Sequence, residues 1–93
     1  NAHTVGSFLI ESLRAELGKL DGVTEVRGQG LMIGIEMASP CLEFVDLAMQ
    51  QGLLLNVTAG NVIRLLPSLI FSRDNAQYLL DKLIPLVKTQ AAK

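Results

Sequence analysis

The stretch "VTEVRGQGLMIGIEM", residues 23–37, predicts a β-hairpin and decides the fold class. In its first five residues Val23, Glu25 and Arg27 alternate with Thr24 and Val26, a period of two that is typical of a strand with one buried face. Leu31 to Met37 is a second β-like run, and Gly28 and Gly30 mark the turn between the two strands. Gly34 lies inside the second run, where a glycine indicates a bulge or a close backbone approach.

Amphipathic helices are predicted on both sides of this hairpin. Before it, apolar residues recur at helical spacing from an N-cap at Thr4 to the "DG" stop at residues 21–22. After it, a short helix covers residues 42–49. A last helix begins after an N-cap at Ser72, and Pro85 is expected to kink it or to end its first part.

A second hairpin is predicted between the short helix and the last one. The segments "LLLNV" (residues 53–57) and "VIRLL" (residues 62–66) are strand-like, "TAGN" between them is a turn, and Pro67 ends the second strand. The order α-β-β-α-β-β-α predicts an α+β fold, with a small, largely antiparallel sheet of about four strands and helices packed on one face. Residues 1–93 are expected to form a single domain, and the other face or an edge of the sheet needs a partner.

The composition excludes several classes of function. Of the 93 residues 49% are apolar, and at a net charge of −1 no basic cluster stands out, which argues against nucleic acid or an anionic membrane as partner. No apolar run approaches the roughly 20 residues of a membrane span. The lone cysteine, Cys41, excludes an internal disulfide and fits a reducing cytosol, so we expect a cytoplasmic protein. Because His3 is the single histidine and Cys41 the single cysteine, we predict no structural zinc site. We name no residue as a ligand of any other metal.

No residue is typical of a catalytic centre, and we predict none. His3 lies at the N-terminus and is a poor base for a Ser-His-Asp triad. Cys41 has no histidine within sequence reach and is interpreted as an unreactive residue at a helix start. Glu25 and Glu36 are interpreted as solvated, because nothing in the sequence places them on one side of a substrate. The lysines all lie beside polar residues, outside the apolar setting that lowers an amine pKa for Schiff-base chemistry: Lys19, Lys82, Lys88 and Lys93.

Arg64 is the candidate binding residue. It stands among large aliphatic residues in "NVIRLLPSLI", residues 61–70, and an arginine is rarely buried without a partner. The residues leave two interpretations open. Arg64 is structural, either paired with Glu36 on a neighbouring strand or extended to water from an edge strand, or it grips a substrate carboxylate with two parallel hydrogen bonds.

Two blocks of the sequence together resemble a known family. At this spacing, "VRGQGLMIGIEM" and "GLLLNVTAGNVIRLLPSLIFS" are similar to the C-terminal segment of class III, pyridoxal-phosphate-dependent aminotransferases, and the resemblance covers nearly the whole chain. It implies a small C-terminal domain that closes over an active site at a dimer interface. It also implies that Arg64 binds the α-carboxylate of glutamate or 2-oxoglutarate, and that the turn from Arg27 to Gly30 is structural.

The same resemblance implies a cofactor and partners outside this chain. Pyridoxal phosphate is expected in the full-length enzyme, on a large domain that carries the catalytic lysine, so this segment alone should bind no cofactor and be inactive. The implied enzyme is a homodimer acting on small amino-acid and 2-oxo-acid substrates, and it moves an amino group between N-acetylornithine and 2-oxoglutarate in arginine biosynthesis. One alternative is the same domain of an ornithine, succinylornithine or 4-aminobutyrate aminotransferase. Another is a stand-alone, non-catalytic interaction module. We expect the chain to be the C-terminal piece of a longer protein.

Overall fold

The described residues form three helices and four strands in the predicted order. The computed structural model describes residues 2–29, 32–53, 55–65 and 72–93. Its elements are α1 (Ala2–Leu17), β1 (Val23–Gln29), β2 (Met32–Met37), α2 (Phe44–Gln50), β3 (Leu55–Thr58), β4 (Val62–Leu65) and α3 (Arg73–Ala91). The α+β class and the order α-β-β-α-β-β-α are confirmed.

The four strands form one antiparallel sheet in the order β1-β2-β4-β3. Each predicted hairpin is present, β1 with β2 and β3 with β4, and the two hairpins join where β2 pairs with β4. At the join Ile35 lies opposite Ile63, which in turn lies opposite Val57 on β3. Such cross-strand pairs of β-branched side chains stabilise a sheet.

The two faces of this sheet differ in burial. On one face alternate residues are buried in a single core with the helices: Val26, Ile33, Ile35, Met37, Leu55, Ile63 and Leu65. The opposite face, here called the open face, carries exposed or half-buried residues: Glu25, Arg27, Met32, Gly34, Glu36, Asn56, Thr58, Val62 and Arg64. The prediction that the helices cover one face is confirmed, and the strand alternation decides which side chains reach the other.

The helices bury apolar stripes spaced by three or four residues. The stripes are Val5, Leu9, Leu13 and Leu17 on α1, and Ala76, Leu80, Leu83 and Val87 on α3. The N-cap predicted at Thr4 is wrong, because α1 begins at Ala2 and Thr4 lies inside its first turn. The N-cap at Ser72 is confirmed, since its Oγ accepts a hydrogen bond of 3.1 Å from the backbone N–H of Asn75.

Pro85 does not end α3, which runs without a break from Arg73 to Ala91. A proline cannot donate the helical hydrogen bond to the carbonyl four residues earlier, here that of Asp81. The proline is on the exposed side of the helix, however, and the buried stripe continues past it to Val87. Because tertiary packing supplies most of a helix's stability, the stripe outweighs one missing bond.

The sequence predicts a turn at Gly28, but in the structure Gly28 lies inside β1. A Cβ at this position would stand 2.7 Å from the backbone oxygen of Met32 and 2.8 Å from Cδ1 of Ile10 on α1. The missing side chain therefore lets α1 lie close to the sheet. Gln29 is likewise in β1, whereas Gly30 and the predicted end of the second hairpin at Pro67 lie outside the described residues.

Candidate functional site

One row of directly paired residues crosses the open face through all four strands. It runs from Arg27 on β1 to Gly34 on β2, Arg64 on β4 and Asn56 on β3. Neighbouring strands lie about 4.8 Å apart, so the backbones of the two arginines are separated by roughly 10 Å. Gly34, which has no side chain, is the residue between them.

An open cavity of about 630 Å³ lies over this row. Its lining includes Arg27, Gly34 and Arg64, and the apolar side chains of Met32 and Val62. The cavity thus combines cationic and apolar side chains around a glycine. This combination suits a small anion that carries a short hydrocarbon chain.

Arg64 is exposed on the open face, although the residues on either side of it, Ile63 and Leu65, are buried in the core. No salt bridge joins Arg64 to a carboxylate of the described residues, and the positions outside the described ranges hold no Asp or Glu. The predicted alternative, an ion pair with Glu36, is wrong because Glu36 is bonded to Arg27.

Arg27 binds the two glutamates of the open face. Its Nη1 donates a hydrogen bond of 2.9 Å to Oε1 of Glu36 and lies 3.7 Å from Oε1 of Glu25. The hydrogen bond to Glu36 raises the pKa of the Arg27 guanidinium. The two glutamates are partly exposed, in keeping with their interpretation as solvated residues, and they are also cross-strand neighbours on one face. Like charges directly opposite each other repel, and the guanidinium offsets that repulsion.

The turn between β3 and β4 borders the cavity and is held by hydrogen bonds. Ala59 and Gly60 have φ of 54° and 82°, in the left-handed region that is unfavourable for alanine. Asn61 Nδ2 donates to the backbone oxygen of Met37 at 3.0 Å, and the Met37 N–H donates to the backbone oxygen of Asn61 at 2.8 Å. These bonds tie the turn to the end of β2, so the strand that carries Arg64 starts from a fixed point.

The family follows from a comparison with known proteins. The family profile described as "Aminotransferase class-III" matches residues 1–87 of the 93. The chain belongs to the class III aminotransferases. It is 49% identical over 88 residues to acetylornithine aminotransferase 1 of Bordetella bronchiseptica, and the match covers 95% of this chain but 22% of that protein. The chain therefore spans less than a quarter of the length of this class III relative.

Two solved structures of aminotransferases share its fold. The ornithine aminotransferase of Plasmodium yoelii superposes with a TM-score of 0.86 at 26% identity, over 95% of this chain and 24% of that one. The acetylornithine aminotransferase of Elizabethkingia anophelis superposes with a TM-score of 0.76 at 25% identity, over 98% of this chain and 23% of that one. In both proteins a part of similar size therefore has the two-hairpin sheet and its helices.

Class III aminotransferases depend on pyridoxal phosphate, and the lysines of this chain do not fit its covalent attachment. Lys88 is paired with Glu16 at 3.3 Å, on the surface. The others lie on helix surfaces or beyond helix ends, without a surrounding apolar pocket: Lys19, Lys82 and Lys93. The positions outside the described ranges hold no lysine. No step through the cofactor is therefore assigned to residues of this chain.

Among the described residues, the remaining candidate side chains do not form a second site. Cys41 is fully buried, and burial raises the pKa of its thiol, which fits the unreactive residue expected from the sequence. The side chain of His3 lies outside the described part. Among the described residues no three His, Cys, Asp or Glu side chains are grouped as metal ligands, and none of the helices has the length and hydropathy of a membrane span.

The prediction from sequence missed the role of Arg27, which it treated as part of a structural turn. A signal was present in the alternation of the two strands. Because Val26 and Ile35 belong to the core, their neighbours Glu25, Arg27 and Glu36 must point to the other face. Charges of both signs on one face of adjacent strands predict an ion pair there.

Proposed function

We propose that this chain is the C-terminal small domain of an enzyme that moves an amino group between N-acetylornithine and 2-oxoglutarate. We propose further that Arg64 binds the α-carboxylate of the substrate. The observation that supports this most is the position of Arg64 in an open cavity, without a carboxylate partner among the described residues.

A guanidinium is suited to this role, because its planar fork donates two parallel hydrogen bonds to one carboxylate. The strand that carries Arg64 is paired on both sides, with Gly34 on β2 and Asn56 on β3, so the backbone of the arginine is fixed. Fixing the carboxylate orients the reacting carbon of the substrate, which removes part of the entropic barrier to reaction.

The choice of amino donor rests on the names of the relatives. Identity is 49% to the acetylornithine aminotransferase of B. bronchiseptica and 26% to the ornithine aminotransferase of P. yoelii. Ornithine is therefore the second candidate. Both donors have an α-carboxylate, so Arg64 would serve either, and residues that distinguish the far end of the donor would lie outside this segment.

The rest of the proposed enzyme would supply the chemistry. Pyridoxal phosphate provides an electron sink for amino-group transfer, and its lysine would belong to a large domain of the same polypeptide. That domain would cover the open face, and a second copy of the whole chain would complete a homodimer in the cytoplasm. This segment alone would hold no cofactor and transfer no amino group.

The proposal is tested by Arg64→Met in the full-length enzyme that carries this segment. Hydrogen bonds to charged groups contribute about 1.5–3 kcal/mol, so we expect kcat/KM for glutamate to fall roughly 10- to 150-fold. The loss should appear mainly in KM, because the arginine binds the substrate without reacting. Arg64→Lys should recover part of it, since an ammonium keeps the charge but not the two parallel bonds.

Arg73→Met is the matched control, because Arg73 is exposed on α3 and stacks at 3.9 Å over the ring of Phe8 on α1, away from the cavity. We expect this variant to keep the wild-type KM. An Arg64→Met enzyme with unchanged KM for glutamate would show that the α-carboxylate is bound elsewhere.

A further inference from the structure

Nothing among the described residues requires a glycine at position 34. Its backbone is outside the left-handed region, and a Cβ built on it would meet Cγ1 of Val62 at 3.4 Å and the backbone oxygen of Ile63 at 3.9 Å. These are ordinary van der Waals distances. Glycine weakens a strand interior, because it loses more conformational freedom on folding than other residues and has no side chain to pack. Alanine would therefore fit this fold and suit the strand better.

Three other glycines of the described residues have an internal reason that Gly34 lacks. A Cβ at Gly28 would lie 2.7 Å from a backbone oxygen, and one at Gly18 would lie 2.5 Å from another. Gly52 has a φ of +80°, a conformation that side chains rarely adopt. Neither backbone geometry nor packing against the described residues explains Gly34, so its missing side chain leaves space on the open face that the described residues do not use.

The charges of the neighbouring residues indicate what uses this space. Gly34 lies directly opposite Arg64 on one side and Arg27 on the other, inside the cavity. Arg27 is already bonded to Glu36, whereas Arg64 has no carboxylate among the described residues. A small carboxylate that binds Arg64 and lies flat against β2 would pass over Gly34. A neutral backbone segment of the enzyme would not offer the charge that Arg64 lacks.

We infer that Gly34 is a specificity-determining position, which admits the carboxylate-bearing end of the amino-acid substrate against the sheet beside Arg64. The inference rests on the proposed function of Arg64 and deepens it. A side chain at this position would raise the floor of the cavity and push the substrate carboxylate away from the guanidinium. Affinity for the substrate would fall while the fold stays intact.

The experiment is Gly34→Ala in the full-length enzyme, with Gly34→Val as a larger second step. A misfit of one methyl group in a binding pocket changes kcat/KM by about 10- to 200-fold, so we expect KM for glutamate to rise roughly tenfold with alanine and further with valine. The melting temperature of the alanine variant should equal or exceed that of the wild type. Gly52→Ala is the matched glycine control, expected to lower the melting temperature and leave KM unchanged.

Three results would overturn the inference. If Arg64→Met raises KM but both Gly34 variants bind glutamate normally, the inference fails while the proposed function stands. If Gly34→Ala lowers the melting temperature or prevents folding, the space belongs to another part of the enzyme and not to the substrate. If Arg64→Met itself leaves KM unchanged, the proposed function fails first.

Discussion

Arg27 and Arg64 lie on one face of the sheet, yet of the two it is Arg27 that has carboxylate partners. Glu36 is close to both, because it is two residues from Gly34, the residue opposite both arginines. Diagonal neighbours on one face are about 7–8 Å apart, within reach of long side chains. The bond of 2.9 Å to Arg27 therefore keeps the Glu36 carboxylate away from Arg64. We therefore expect Arg27 to act as a positioning residue for the anchor proposed above.

Arg27→Met in the full-length enzyme tests this relation. Without the guanidinium, Glu36 is expected to turn toward Arg64 and compete with the substrate carboxylate, so KM for glutamate should rise several-fold with kcat little changed. Adding Glu36→Gln removes the competing charge, and the double variant should regain most of the wild-type affinity. The measurement is KM for the wild type, each single variant and the double variant.

A purely structural role for Arg27 predicts a different pattern. In that case the double variant would bind glutamate no better than Arg27→Met. The loss of affinity for glutamate would then be accompanied by a lower melting temperature. A rise in KM that Glu36→Gln does not reverse would therefore contradict the positioning role.

At the scale of elements, the hairpins follow from local alternation, but the roles of the glycines do not. In residues 23–37 and 53–66 the apolar side chains alternate with polar ones or form short runs, which predicts strands. The structure contains both hairpins. The position of Gly28 in a strand depends on α1 lying against it, and that contact comes from a residue 18 positions earlier, Ile10. Likewise α3 continues past Pro85 because its apolar stripe packs in the core. The helix propensity of a single residue does not report such packing.

Gly28→Ala should therefore destabilise the protein, because its Cβ would overlap the backbone of Met32 and the side chain of Ile10 on α1. Overpacking of this kind costs typically about 1–3 kcal/mol. Gly34→Ala is the matched control in the same sheet, and its free energy of unfolding should not decrease. Denaturant titration of both variants checks the prediction, and equal stabilities would contradict the close approach of α1.

The candidate site is predictable from the sequence only in part, because some of its features follow from local alternation and others from contacts between distant strands. The outward direction of Arg64 follows from the alternation of β4, with Ile63 and Leu65 buried on either side. Its lack of a carboxylate partner does not follow, because it depends on Glu36 bonding to Arg27 across another pair of strands. Pairings between strands are set by register, which the sequence alone left open.

At the scale of the whole molecule, the open face has features of a surface that contacts another chain. Met32 is 55% exposed there. The face also carries the guanidinium of Arg64, which has no carboxylate partner among the described residues, and the half-exposed carboxylate of Glu25. Opposite charges and an apolar side chain on one patch allow two copies to pack by a two-fold axis. In the proposed enzyme the large domain would cover this face.

The isolated 93-residue chain should therefore self-associate in solution. Met32→Lys places a charge on the open face and should shift the chain toward monomer, whereas Met49→Lys, on an equally exposed methionine of α2, should not; the two are 55% and 56% exposed. Sedimentation velocity over a range of concentrations measures the association. A wild-type chain that is monomeric at all concentrations would contradict the prediction.

The central claim is that Arg64 binds the α-carboxylate. The most direct test removes the guanidinium and the α-carboxylate separately, the first by mutation and the second by the choice of substrate. Succinic semialdehyde is 2-oxoglutarate without its α-carboxylate, and kcat/KM for both acceptors is measured with the wild-type full-length enzyme and with Arg64→Met. Because the lost interaction needs both groups, we expect Arg64→Met to lower kcat/KM for 2-oxoglutarate at least tenfold, as for other charged hydrogen bonds of about 1.5–3 kcal/mol, and to leave the value for succinic semialdehyde nearly unchanged. An equal fall for both acceptors, or no fall for either, would contradict the claim.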